Sequence, residues 1–174
     1  ESRRTITVVP PIEARITPLT TPVVAGKPVK FAADDSIGRI TDYRWDRDPQ
    51  GIYIGGWGIG MKPRDLAKIG YLYLNQGKWE DQQIVPAGWI KETTERHIQV
   101  PEPLEPWDLY MGYSWWIHGD GPFAAHGYQG QFIYVIPESD LVVVFTGSIS
   151  DKEFAQPQML IRDYIIPAVS GVNQ

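Results

Sequence analysis

The 174-residue sequence contains no cysteine. That excludes disulfides, thiolate catalysis and zinc sites built on cysteine. It has no run of Lys or Arg longer than Arg3-Arg4, and its formal net charge is −5. A surface that tracks phosphates is therefore not expected, nor is a nucleic-acid partner. No apolar run approaches the ~18 residues needed to cross a bilayer; the longest, 141–145, has the length of a strand. The histidines are His97, His118 and His126, at no metal-ligand spacing. A hydrogen-bonded structural role suits each better, with His126 kept as a candidate cleft residue. No cofactor is expected. What is abundant is aromatic surface: seven Trp and nine Tyr, in a chain that is 43% hydrophobic and 21% charged. Those proportions belong to a globular protein with a real core.

Composition changes near residue 45. Before it the chain is rich in Thr, Val, Pro and Ala. Residues 5–9, 14–17, 28–32 and 40–45 read as short strands separated by Pro and Gly. Beyond residue 50 helical signals appear. Pro63 suits a first helical position, Asp65 favours the positive end, and Gly77 can close the C-terminus. Leu66, Ile69, Gly70 and Tyr73 then share a face. A small hairpin or loop is predicted over 79–85, a short helix over 86–95 and an extended loop over 97–108. An antiparallel meander follows, with strands over 110–117, 123–129, 131–136 and 141–146. Pro157 starts a last helix with Met159, Leu160, Tyr164 and Ile165 as its apolar face, and Pro167 is expected to end it. Trp115 and Trp116 should point to opposite sides of their strand, one inward and the other towards a cleft or partner.

The most informative stretch is His126-Gly127-Tyr128-Gln129-Gly130-Gln131, between two apolar runs. A Gly-x-x-Gly in a strand lets a backbone or ligand approach closely. A main-chain N–H there could hold an oxyanion if a nucleophile stood opposite.

Residues 55–70 (Gly-Gly-Trp-Gly-Ile-Gly-Met-Lys-Pro-Arg-Asp-Leu-Ala-Lys-Ile-Gly), Gly77-Lys78-Trp79, Ile84-Val85-Pro86, Trp89, residues 112–116 and Gly127-x-x-Gly130-Gln131 follow in order. Together they resemble the β-lactamase-related, penicillin-recognising serine hydrolases, which include DD-peptidases, family VIII esterases and, most similar here, 6-aminohexanoate-dimer hydrolases. The resemblance covers roughly residues 45–169. It implies an α+β fold, an antiparallel sheet with flanking helices, present here in its C-terminal portion. It also implies a cleft strand on which Gly127 holds the glycine of the third catalytic motif, with Ala125 and His126 in its Lys and Thr places. Tyr128 would then donate its main-chain N–H to the oxyanion, and Ala125, His126, Gly127, Gly130 and Gln131 would line the binding site. Amide, ester or peptide-like small substrates are implied, as is an extracellular or periplasmic location.

Two departures stand out. The third motif lacks its Lys, which argues against β-lactam carboxylate recognition and towards an ester or amide substrate. No Ser in the chain is followed three residues later by Lys, so nothing here is both acylable and activated. Tyr73-Leu74-Asn75 matches the second motif by letters but falls inside the predicted helix, as a coincidence. A triad of Ser114, His126 and Asp108 can be written down without any geometric support.

Residues 14–17, 24–33 and 40–46 resemble the first half of a PKD-type β-sandwich domain, and residues 5–11 a linker strand before it. The expected organisation is thus a β-rich segment over 1–45 joined to a partial hydrolase domain over 46–174, as a fragment, chimera or rearranged gene. Missing N-terminal strands would leave an open sheet edge. Residues 5–45, a complementing N-terminal half or a second copy should cover it. The alternative functions are a non-catalytic extracellular binding or scaffold module using the aromatic cleft, and a folded remnant without ligand.

Overall fold

The structure, a computed structural model, describes residues 5–8, 40, 42–101, 108–119, 121–150 and 153–171. The expected strands over 14–17 and 28–32 lie outside the described residues. Eleven strands are described: β1 (Thr5–Val8), β2 (Tyr43–Trp45), β3 (Ile59–Met61), β4 (Lys78–Trp79), β5 (Gln82–Gln83), β6 (Ile98–Gln99), β7 (Asp108–Met111), β8 (Trp116–His118), β9 (Phe123–Gly127), β10 (Gln131–Ile136) and β11 (Leu141–Phe145). Seven form the central sheet, in the order β1-β11-β10-β9-β8-β7-β6. Every neighbour pair is antiparallel except the edge, where β1 runs parallel to β11 with Thr5 opposite Leu141 and Val8 opposite Val144. Residues 5–8 thus pair along the free side of β11.

The continuous apolar runs of β10 and β11 are buried on both faces because helices lie on both sides of the sheet. Alternation divides their side chains. Ile133, Val135, Val142 and Val144 face one core with Ala125 and Phe123, while Phe132, Tyr134, Ile136, Leu141 and Val143 face a second with Ala124.

The first core is closed by α1 (Pro63–Leu74). Pro63 occupies its first turn and Asp65 adds a carboxylate near the positive end, ion-paired to Lys68 at 2.7 Å. The helix buries Leu66, Ile69, Gly70, Leu72 and Tyr73. Gly70 is the point of closest approach: a Cβ there would lie 2.6 Å from Val142 Cγ1 and 2.9 Å from Ile133 Cγ2. At the other end Gly77 N–H donates to Leu72 O and Gln76 N–H to Tyr73 O, the paired bonds of a Schellman turn. Gln76 takes the left-handed position, with φ 54°. The expected stop at Gly77 is therefore shared by two residues. Gly77 also lies so close to Val85 O that a Cβ would be 2.0 Å from it.

Around α1, β2 pairs with β3, Trp45 packs on the first core and Ile40 lies within it. The hairpin β4–β5 and the short helix α2 (Ala87–Thr93), capped by Pro86, follow as read from sequence.

Three expectations are corrected. Residues 98–99, read as part of an extended loop, form the edge strand β6 against β7, and Asp108 already belongs to β7. Residues 110–117 are a hairpin, β7–β8, rather than one strand. Gly112 is pressed against Thr93 O, where a Cβ would stand 2.2 Å away, and Ser114 turns the chain with φ 64°. The C-terminal helix does not stop at Pro167. It runs as α3 (Gln156–Leu160), a π-helical turn over Ile161–Ile165, and α4 (Ile166–Gly171). Proline has no N–H to give and its ring crowds the carbonyl four residues back. The wider turn just before it, in which Ile166 N–H reaches Ile161 O, relieves that crowding. The extra residue also rotates the helix. Pro157, Gln158 and Ile161 are buried, while Met159, Leu160 and Tyr164 of the predicted apolar face are exposed, Tyr164 at 69%. No helix among the described residues is long and apolar enough to cross a membrane.

Candidate functional site

The six residues singled out from sequence all belong to the β9–β10 hairpin. Gly127 closes β9, opposite Gln131 at the start of β10. Tyr128, Gln129 and Gly130 make the reversal, with Gln129 at φ 57° and Gly130 at φ 87°. A residue pair with positive φ is costly unless something holds it. Here the holding element is the segment after β11. Ile149 N–H donates to Gln129 O at 3.1 Å, the Gln131 side chain donates to Gly147 O, and Ile149 fills the space where a Gly130 Cβ would sit, 2.5 Å from its Cγ1. Gly130 and Gln131 thus fasten the tip of the hairpin to residues 147–149. Gln131 is fully buried.

Ala125 and His126 lie on opposite faces of β9. Ala125 belongs to the core beneath α1. His126 points to the other side, where it is 6% exposed. Trp116 stacks on it at 5.3 Å with planes 16° apart, Phe132 meets it edge-on at 4.9 Å, and His118, Tyr134 and Phe154 complete the shell. Burial, with the second imidazole His118 adding to it, holds the His126 pKa well below 6.5, so the ring is neutral at pH 7. Gly127 is buried as well. Tyr128 is the exposed member of the set, at 66%.

Other sequence candidates separate. Tyr73 is buried against Trp115 at 4.4 Å and Phe123 at 6.3 Å. Burial raises its hydroxyl pKa, against a smaller opposite pull from hydrogen bonding to Trp115 and Thr93. Asn75 caps α1, donating from Nδ2 to Tyr71 O at 2.7 Å. Both residues of the Tyr-x-Asn match are structural. Asp108 begins β7 while Ser114 lies in the turn after it. Three strand steps, about 10 Å, lie between Asp108 and Met111, so the backbone of Asp108 and that of Ser114 are set apart by the length of β7. His97 stacks on Tyr113 at 4.2 Å with its Nε2 2.7 Å from Glu92 O. Trp115 packs inward and Trp116 stacks on His126, the division that alternation predicts. Of the hydroxyls with assigned bonds, Thr93 and Thr94 donate to Ile90 O and Ser150 to Glu153.

The sequence reading passed over Gln158. It is buried on the C-terminal helix, facing the second core. Its spacing from Phe154, Ile161 and Ile165 is the signal that would have placed it on the buried stripe.

Compared with known proteins, the chain is 26% identical over 113 residues to a 6-aminohexanoate-dimer hydrolase of Paenarthrobacter ureafaciens, covering 61% of this chain and 29% of that protein. The structure of a putative 6-aminohexanoate-dimer hydrolase from Bacillus anthracis superposes with a TM-score of 0.55 at 22% identity, over 76% of this chain and 35% of that one. The chain carries part of the β-lactamase-related serine hydrolase fold. An uncharacterized protein of Alkalihalophilus pseudofirmus is 28% identical over 112 residues, which are 57% of this chain and 31% of that protein. The matched region thus spans about a third of the length of these curated relatives. No family model matches the chain.

Proposed function

We propose that this chain supplies the C-terminal, sheet-bearing portion of a serine hydrolase that cleaves amide or ester bonds in small or peptide-like molecules, outside the cytoplasm. In this reading the nucleophile is held elsewhere, on an N-terminal portion or another chain. One observation carries it: the hairpin Gly127-x-x-Gly130-Gln131 caps the third and fourth strands of a sheet of this fold, in a sequence where no Ser precedes Lys by three. A hydroxyl at its ordinary pKa is a weak nucleophile and needs an adjacent base. The hairpin's role in the reaction would be electrostatic, with Tyr128 N–H facing the developing oxyanion. Ala125, in the place that the resemblance gives to the family's Lys, supplies no cation and packs in the core beneath α1.

Alone, the 174-residue chain should take up no fluorophosphonate; an adduct on any Ser or Thr, found by peptide mass mapping, would overturn the reading. The positive test is a transplant. Residues 42–171 replace the matching stretch of the Paenarthrobacter hydrolase, and nitrophenyl ester hydrolysis is measured. Tyr128→Pro, which removes the N–H, should lower kcat about 100- to 1,000-fold. Tyr128→Phe should leave kcat within severalfold. Equal effects would remove the N–H from the mechanism.

A further inference from the structure

Gln131 is a polar side chain with almost no exposure, 1%. A buried amide costs free energy unless its atoms are bonded. Here Nε2 donates to Gly147 O, just beyond the end of β11. Packing alone would be served as well by Leu. What the amide adds is direction: a buried hydrogen bond between two main-chain segments fixes one arrangement of both.

The residue fixed in this way is the register partner of Gly127. The peptide joining Gly127 to Tyr128 is planar, so its N–H points where the chain on either side sets it. After Tyr128 the chain reverses through Gln129 at φ 57° and Gly130 at φ 87°. That reversal is held from the same segment as Gln131. Ile149 N–H donates to Gln129 O at 3.1 Å, and the Ile149 side chain occupies the space that a Gly130 Cβ would take. Each of the three residues after Tyr128 is therefore gripped by residues 147–149, while Gly127 before it is held by β10. An oxyanion donor acts only from a narrow range of positions, and a misplacement of about 1 Å can cost 100-fold in rate.

We infer that Gln131 is a positioning residue for the proposed hydrolysis. Its bond to Gly147 O, seconded by Ile149, sets the direction of Tyr128 N–H, and its buried side chain touches no substrate. The inference rests on the hydrolase reading. It gives Gln131 a role other than the site-lining one that the resemblance implies.

Two measurements test it. In the 174-residue chain labelled with 15N, Gln131→Leu should shift and broaden the amide signals of residues 127–130 and leave those of α1 in place. In the transplant into the Paenarthrobacter hydrolase, Gln131→Leu should lower kcat about 10- to 100-fold per site titrated to its end point with fluorophosphonate, with KM within about twofold. A merely structural glutamine would reduce the number of sites that titrate and leave kcat per site unchanged. Gln131→Glu adds a pH readout. Burial raises a carboxyl pKa; the protonated group can donate to Gly147 O and the ionised group cannot. Relative to the unsubstituted transplant at each pH, its kcat should recover as pH falls, while that of Gln131→Leu stays low throughout. The inference alone is overturned if Tyr128→Pro lowers kcat and Gln131→Leu does not, if Gln131→Glu tracks Gln131→Leu at every pH, or if the hairpin amide signals do not move. Tyr128→Pro without effect removes the N–H from the mechanism, and the inference with it. Should Gln131→Leu not fold, Ile149→Pro, which removes the N–H that holds Gln129 O, takes its place with the same expected loss.

Discussion

The two faces of the central sheet are built from the same strands and are packed in opposite ways. Beneath α1 the contact is tight: Gly70 lets the helix descend onto Val142 and Ile133, and Trp115 fills the flank against Tyr73 and Phe123 at 4.4–5.1 Å. On the other face the helix carries a π-helical turn, two histidines and a glutamine are buried, and a pocket remains. Close packing contributes dispersion at every atom of the first face. The second face gives up part of that for polar groups and space. The two faces of one sheet thus differ in how completely they are packed.

Breaking the tight face should have the largest effects. Trp115 is fully buried, and Trp115→Ala should cost about 3–5 kcal/mol, read as a fall in the urea midpoint. Gly70→Ala forces a methyl into contacts shorter than 3.0 Å with two β-branched side chains. Overpacking of this kind costs about 1–3 kcal/mol. If Gly70→Ala proves neutral, the helix rides higher on the sheet than described and the contrast between the faces weakens.

The same contrast governs how much could be read from residues alone. α1 was legible because Pro63, Asp65, the Leu66–Ile69–Gly70–Tyr73 stripe and Gly77 all point to one helix. β10 and β11 were legible as apolar runs, and the order of motifs carried the fold. The C-terminal helix was misread because its buried stripe, Phe154, Gln158, Ile161 and Ile165, runs through a polar residue, while the apolar Met159, Leu160 and Tyr164 lie exposed. The β7–β8 reversal was hidden because Ser114, not glycine, takes the positive φ. In the candidate site the motif was visible, but nothing local announces that Gly130 and Gln131 serve residues 147–149, since that contact is made across the sheet.

A pH titration addresses the second face. His126 is neutral in the folded chain, with its pKa held well below 6.5 by burial and by His118. Once unfolded it binds a proton near pH 6.5. The unfolded state therefore holds the extra proton as pH falls. Stability is intact above about pH 6.5 and declines as pH falls below it, by at most ~1.4 kcal/mol per pH unit. His126→Leu should flatten this slope in urea midpoints taken at pH 7.5, 6.5 and 5.5. A slope that survives the substitution would move the proton uptake to another group.

The smallest effect has the opposite sign. An unpaired buried amide destabilises the chain that carries it, by about 1–3 kcal/mol when no partner answers it. Gln158→Leu exchanges that amide for a side chain of similar length and no polar atoms, in surroundings that are already hydrocarbon. In the absence of any ligand the substitution should raise stability by about 1 kcal/mol, read as a higher urea midpoint at an unchanged slope. A core residue chosen for packing has no reason to be less stable than its apolar isostere, so a gain marks Gln158 as held against the demands of the fold. A loss would mean that the amide is satisfied in solution, and the second face would then be packed as completely as the first.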